Sequence, residues 1–142
     1  MRLKSLAIAG LAAALMASTF GATAEEVLRL RMNGDINSVD PIATTNFTIR
    51  NSAYLIYDTL FALDADFQVQ PQMAESVAIS DDQLTYTITL RDGLKFHDGA
   101  AVTAADAVAS LERWGKVDGL GKILFSKHES LTASDDKTIV LK

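Results

Sequence analysis

From residue 84 to residue 90 the chain alternates without a break, with Leu84, Tyr86, Ile88 and Leu90 interleaved by Thr85, Thr87 and Thr89. A period of two puts the bulky apolar side chains on one face of an extended strand and the β-branched threonines on the other. Such a strand needs sheet neighbours and a cover for its apolar face. Its flanks are turn chemistry, Ser80-Asp81-Asp82 before it and Arg91-Asp92-Gly93 after it. Residues 76–79 read as a short strand leading in, residues 94–96 as another leading out, and His97-Asp98-Gly99 as the next turn. A β-meander is the expected arrangement.

A helix is predicted over residues 103–114. Thr103 is placed to cap it, Asp106 stands three residues on, and Ala104, Ala107, Val108, Leu111 and Trp114 form one apolar stripe. Gly115 reads as its stop, and Gly119 and Gly121 as the flanks of a looser segment, with one more helical turn over residues 123–125. Near the end, Thr132-Ala133-Ser134-Asp135-Asp136 echoes Ala78-Ile79-Ser80-Asp81-Asp82 and leads into a strand over residues 137–141. This is one hairpin chemistry used twice rather than a true repeat. A sheet edge that stops at Lys142 with no capping element is what a truncated chain would leave.

Toward the N-terminus, residues 26–32 alternate Val27, Arg29 and Arg31 with Leu28, Leu30 and Met32, as a strand with one buried face would. Asn33-Gly34-Asp35 ends it, and Asp40-Pro41 breaks the chain again. Ala53, Leu55, Ile56, Leu60 and Phe61 recur at helical spacing and predict a helix over residues 46–60. Residues 63–66 read as a turn and Gln70-Pro71 as a second extended break.

The first 24 residues have the pattern of a secretory signal peptide. Arg2 and Lys4 supply the charged start, residues 6–17 the apolar stretch, and Ala22-Thr23-Ala24 the small-x-small site, so cleavage is expected after Ala24. A permanent anchor is the alternative, because residues 5–24 are uncharged and about 20 residues can span a bilayer. The shortness of the strongly apolar part favours cleavage. With no twin arginine and no cysteine for acyl-lipid attachment, a free periplasmic protein is expected.

Loss of residues 1–24 removes two of the 13 basic residues and none of the 18 acidic ones, leaving a net charge of −7 on 118 residues. That balance argues against a nucleic-acid partner, which calls for clustered Lys and Arg. The absence of cysteine excludes disulfides and thiolate metal sites. His97 and Asp98 sit in turn chemistry, and His128 has no partner at ligand spacing. Asp81-Asp82 and Asp135-Asp136 are adjacent turn residues whose carboxylates point apart, and Ser110 lacks a Gly-x-Ser-x-Gly context. No catalytic residue, metal site or cofactor is expected. An exported hydrolase would need a nucleophile and base that these residues do not supply. One cluster differs: Thr44, Thr45, Asn46, Phe47 and Thr48, polar with one aromatic, lie between a predicted strand and a predicted helix. Open α/β sheets bind ligands at such strand ends, while a solvated loop that caps the helix is the alternative.

Several stretches come in a characteristic order: Ser38-Val39-Asp40-Pro41, Tyr57-Asp58-Thr59-Leu60-Phe61, Pro71-Gln72-Met73-Ala74-Glu75-Ser76, the run from Ser80 through Leu84 and Leu94 to Gly99, and Thr103-Ala104-Ala105-Asp106-Ala107-Val108-Ala109-Ser110-Leu111. The series resembles the family 5 extracellular solute-binding proteins, which include dipeptide, oligopeptide and nickel binders. The resemblance implies a mixed α/β fold, an incomplete periplasmic-binding-protein clamshell that would close on its ligand and hand it to an ABC permease. It implies a leader over residues 1–24, the start of lobe 1 over 25–60, and an extra β-rich subdomain over 61–142 that includes the meander and the helix. The full protein would be several-fold longer, so the second lobe, the hinge and the acidic residue that meets a peptide's amino terminus would lie elsewhere. The family often has Trp where this chain has Val77, a difference of packing. In peptide-binding relatives the stretch matching residues 44–48 lines the cleft, which makes Thr44, Thr45, Asn46, Phe47 and Thr48 the implied ligand contacts. A monomer that captures a peptide-like solute is the implied function. The alternative is a truncated product with no transport role, serving at most as a small structural or interaction domain.

Overall fold

The computed structural model describes residues 27–142. The predicted leader and its cleavage site after Ala24 lie outside the described residues. Contacts divide the chain into Met1–Arg31 and Met32–Lys142. In the first unit, residues 27–31 form no strand, and Val27, Leu28 and Leu30 are exposed. This corrects the strand expected over residues 26–32. Alternation prescribes two faces but supplies no partner, and a strand without a neighbour leaves its ladder groups unpaired.

The second unit begins with a short helix, α1, Phe47–Ala53. The helix expected to reach residue 60 stops early. Leu55 N–H bonds to Ser52 O and Ile56 N–H to Ala53 O, tightening the last turn. Beyond it Thr59 is held extended: its amide and hydroxyl both donate to Gln72 Oε1 at 2.8 Å, and its carbonyl accepts from Met73 N. Extended pairing with residues 72–74 therefore overrides the helical spacing of Leu60 and Phe61.

Strands β1 (Phe61–Leu63) and β2 (Val69–Pro71) form an antiparallel hairpin that the sequence reading did not separate from its turns. Asp64 closes it, accepting from the amides of Asp66 and Gln68 and from Gln70 Nε2. Those bonds, the Gln68 amide first, hold its carboxyl below the usual carboxylate range. Pro71, lacking an N–H, is tolerated at the end of this two-stranded ribbon.

The main sheet has β3 (Ala74–Ile79), β4 (Tyr86–Leu90), β5 (Leu131–Ala133) and β6 (Thr138–Leu141), in the antiparallel order β3-β4-β6-β5. It is not a simple meander. Residues 94–96 form no strand, because Phe96 N–H bonds to Ala100 O and Gly99 N–H to Phe96 O, leaving only a single bridge between Lys95 and Ala101. Two helices then intervene before β5 and β6 return to the sheet. The last strand is no edge either: β6 lies between β4 and β5, pairing Ile139 with Ile88 on one side and Ala133 on the other. Each echoed turn is held by an aspartate that accepts from the amide two residues on, though not by the equivalent one of the pair. Asp82 Oδ1 accepts from Leu84 N in the β3–β4 turn, and Asp135 Oδ1 from Lys137 N in the β5–β6 turn.

Helix α2, Ala104–Val117, covers one face of this sheet. Ala74, Ile88, Leu90, Ala104 and Ile139 form the buried core, with Leu60, Phe61, Leu94, Ala107, Val108 and Leu131 packed around it. The predicted capping box is present: Asp106 N donates to Thr103 Oγ1, and Thr103 N donates to Asp106 Oδ2 at 2.8 Å. Thr103→Ala should therefore lower stability by about 1 kcal/mol. Thr103→Ser should restore most of it in a urea titration, and equal losses for both would deny the cap.

Gly115 does not end α2. The helix runs on to Val117, and α3, Gly119–Phe125, follows after one residue. The stop comes from Asp118, whose Oδ1 accepts from Leu120 N and Gly121 N at the start of α3. Phe125 of α3 packs over Gly115 and meets Trp114 edge-on, ring centroids 6.3 Å apart. Gly115 and Gly121, read as breaks in the helix, are thus contact points between two helices. Among the described residues, no helix is long and apolar enough to cross a membrane.

Candidate functional site

The segment before α1 is built from local polar bonds. Asp40 Oδ1 accepts from Ile42 N at 3.1 Å, Thr44 Oγ1 accepts from Asn46 N at 3.1 Å, and Asn46 Oδ1 caps α1 by accepting from Thr48 N at 2.8 Å. Thr48 is half-buried, and its carbonyl accepts from Ser52 Oγ at 2.6 Å. Ile49, Ser52 and Ala53 form the buried side of α1.

The five predicted ligand residues are therefore brought together, with different roles. Thr44 and Asn46 spend their side-chain oxygens on the turn and the cap. Thr45 is exposed, and Phe47 stands out at 79% exposure. Since residues 27–31 form no strand, the site is the entry to a helix and not the end of a sheet strand.

Two ion pairs join this segment to the α2–α3 helices. Arg113 of α2 makes a bidentate pair with Asp40, at 2.5 and 3.2 Å. That contact foremost keeps the Asp40 carboxyl below its ordinary range and raises the Arg113 guanidinium. Arg50 of α1 donates from Nη2 to Asp118 Oδ2 at 2.6 Å and from Nε to the carbonyl of Thr44 at 2.8 Å. Asp118 is buried, and its carboxyl is held low by the Gly121 amide first, then by Leu120 and Arg50. Between these elements lies an open cavity of about 290 Å³, lined by Ile42, Arg50, Tyr54, Tyr57, Trp114 and Asp118 among others.

The sequence reading missed these charges. Arg50 and Asp118 are 68 positions apart, and Asp40 and Arg113 are 73 apart, so no local spacing links them. Asp118 alone carried a signal, as an acidic cap before Leu120, Ile123, Leu124 and Phe125. Two of the other candidates have local partners. Asp98 Oδ1 accepts from Ala100 N, and His128 Nδ1 lies 2.7 Å from Phe125 O with its ring against Phe125. Asp92, in the turn after β4, pairs with Lys137.

The arrangement presents an exposed aromatic and a hydroxyl on a braced stretch of backbone, suited to contacting an extended ligand. Known proteins give this geometry its context. The sequence model for bacterial extracellular solute-binding proteins, family 5 Middle, matches residues 68–142. A probable peptide ABC transporter periplasmic-binding protein of Sinorhizobium fredii, y4tO, is 42% identical over 127 residues, covering 89% of this chain and 24% of the relative. The glutathione-binding protein GsiB of Salmonella typhimurium is 39% identical over 115 residues, covering 81% and 22%. The structure of Listeria monocytogenes OppA bound to peptide aligns with a TM-score of 0.66 and 28% identity, covering 74% of this chain and 24% of that one. The chain thus spans about a quarter of the length of the curated relatives it matches.

Proposed function

The chain belongs to the bacterial extracellular solute-binding proteins of family 5, and on that premise we propose that it is part of the substrate-binding component of an ABC importer, capturing a peptide or peptide-like solute in the periplasm. The observation that carries this reading is its similarity to relatives named for peptide and glutathione binding. The family is one of solute-binding proteins and not of enzymes; we assign the chain no catalytic residue, metal or cofactor. Residues 1–24 act as the leader, 25–60 begin the first lobe, and 61–142 form the β-rich subdomain beside it. The partner is a membrane permease, and the protein works as a monomer without nucleic acid.

Residues Thr44, Thr45, Asn46, Phe47 and Thr48 contact the ligand from the first lobe. Main-chain bonds would hold an extended peptide whatever its side chains, and closure would be a hinge motion favoured by contacts made only in the closed state. Calorimetric titration of the full-length protein with glutathione and with peptides of two to five residues tests this. Saturable binding with Kd on the order of 1 μM, about −8 kcal/mol, is the expected result. A flat titration against every one of them rejects the peptide reading, and an opine or a nickel–histidine complex that binds instead would replace it.

A further inference from the structure

Arg50 touches both the candidate ligand segment and the helices behind it. Its Nε donates to the Thr44 carbonyl, 2.8 Å away, and its Nη2 donates to the buried carboxylate of Asp118, 2.6 Å away. The two bonds use different nitrogens of one planar guanidinium, so the Asp118 contact fixes the plane that Thr44 then meets. Asp118 cannot follow the segment if it moves. Its other oxygen is committed to the amides of Leu120 and Gly121 at the start of α3. At the far end of the same segment, Asp40 is clamped by both terminal nitrogens of Arg113. Residues 40–50 are therefore strapped to the α2–α3 helices at both ends, while Thr45 and Phe47 between them stay exposed.

We propose that Arg50 is a positioning residue for ligand capture: held by Asp118, it sets the backbone at Thr44 so that Thr45 and Phe47 are presented in a fixed geometry. The claim rests on the reading of residues 44–48 as ligand contacts. A brace of this kind lowers the ordering cost of binding without touching the ligand itself. Lysine at position 50 would keep the charge beside Asp118 but, as a point donor on a flexible stem, would not reproduce the two-pronged contact.

The test uses Arg50→Lys, Phe47→Ala and Thr45→Ala in the full-length protein, with glutathione and trialanine as probes. Hydrogen exchange of the amides over residues 44–48 is read beside that of β4 and β6. In Arg50→Lys, exchange over residues 44–48 should quicken about tenfold and probe binding weaken about tenfold, the loss of one charge-assisted hydrogen bond. The β4 and β6 amides should not change, which a merely structural role would not allow. Unchanged exchange over residues 44–48, or faster exchange throughout the subdomain, overturns the proposal. It is overturned too if Phe47→Ala weakens binding while Arg50→Lys binds as wild type does. If neither Phe47→Ala nor Thr45→Ala alters binding, the ligand reading of residues 44–48 falls, and the exchange result still reports whether Arg50 braces the segment.

Discussion

Gly121→Ala should destabilise the protein by about 3 kcal/mol, at the upper end of what overpacking a tight site costs. A Cβ at this position would lie 2.4 Å from the carbonyl oxygen of Trp114 and 2.9 Å from its carbonyl carbon. The obstacle is helix backbone, so no rotamer change can relieve it. Nor can α3 readily back away. Its first amides are held by Asp118, and Phe125 at its other end packs so close to Gly115 that a Cβ there would meet the ring at 2.5 Å. Gly119→Ala is the control, two residues earlier in the same helix. Nothing lies within 4 Å of its Cβ position. Replacing that glycine should leave stability unchanged or raise it by up to about 1 kcal/mol, because alanine loses less backbone entropy. Urea unfolding followed by the fluorescence of Trp114, the single tryptophan, separates the two. Equal midpoints for both variants would mean that the helices are not in this close contact.

The same glycines mark a boundary between what could be read from the residues and what could not. Local chemistry was legible. The alternation at residues 84–90 became β4, shortened at its start because Gln83 turns the chain with φ 60° and Asp82 holds the amide of Leu84. Thr103 and Asp106 formed the box their spacing implied, and Ala104, Ala107 and Val108 of the apolar stripe pack on the sheet's core, while Trp114 at its end meets Phe125 of α3. Asn46 likewise caps a helix where the polar cluster suggested one.

What failed depended on a distant partner. Helical spacing through Leu60 lost to the pairing of Thr59 with Gln72 and Met73, which no window around residue 60 contains. Gly115 was read for what glycine does to a single helix, when its role is to admit Phe125. The order β3-β4-β6-β5 could not be inferred from strand patterns either, since alternation gives a strand its faces and leaves its neighbours open. In the candidate site, the polar side chains of residues 44–48 drew attention to that stretch, whereas Arg50 and Asp118 meet only through a contact formed once the chain is folded.

Ile139→Ala should cost about 3 to 4 kcal/mol, within the usual range for emptying a buried aliphatic site. Ile139 is completely buried, on an inner strand, between Ile88 of β4 and Ala133 of β5. Leu90 and Ile139 are the largest fully buried side chains among the described residues. Small cores have few such positions, so each represents a large share of a marginal total. Collapse into the space is opposed by β4 and β5, whose ladders fix β6 from both sides, so the cavity should persist. Ile139→Val removes one methylene and should cost about 1 kcal/mol. The ratio between the two variants carries the inference. A loss several-fold larger for alanine indicates a rigid, close-packed site. Small and equal losses, read from the same Trp114 fluorescence in urea, would mean that the sheet and α2 are loosely packed at this point, and that β6 does not hold the centre of the sheet in solution.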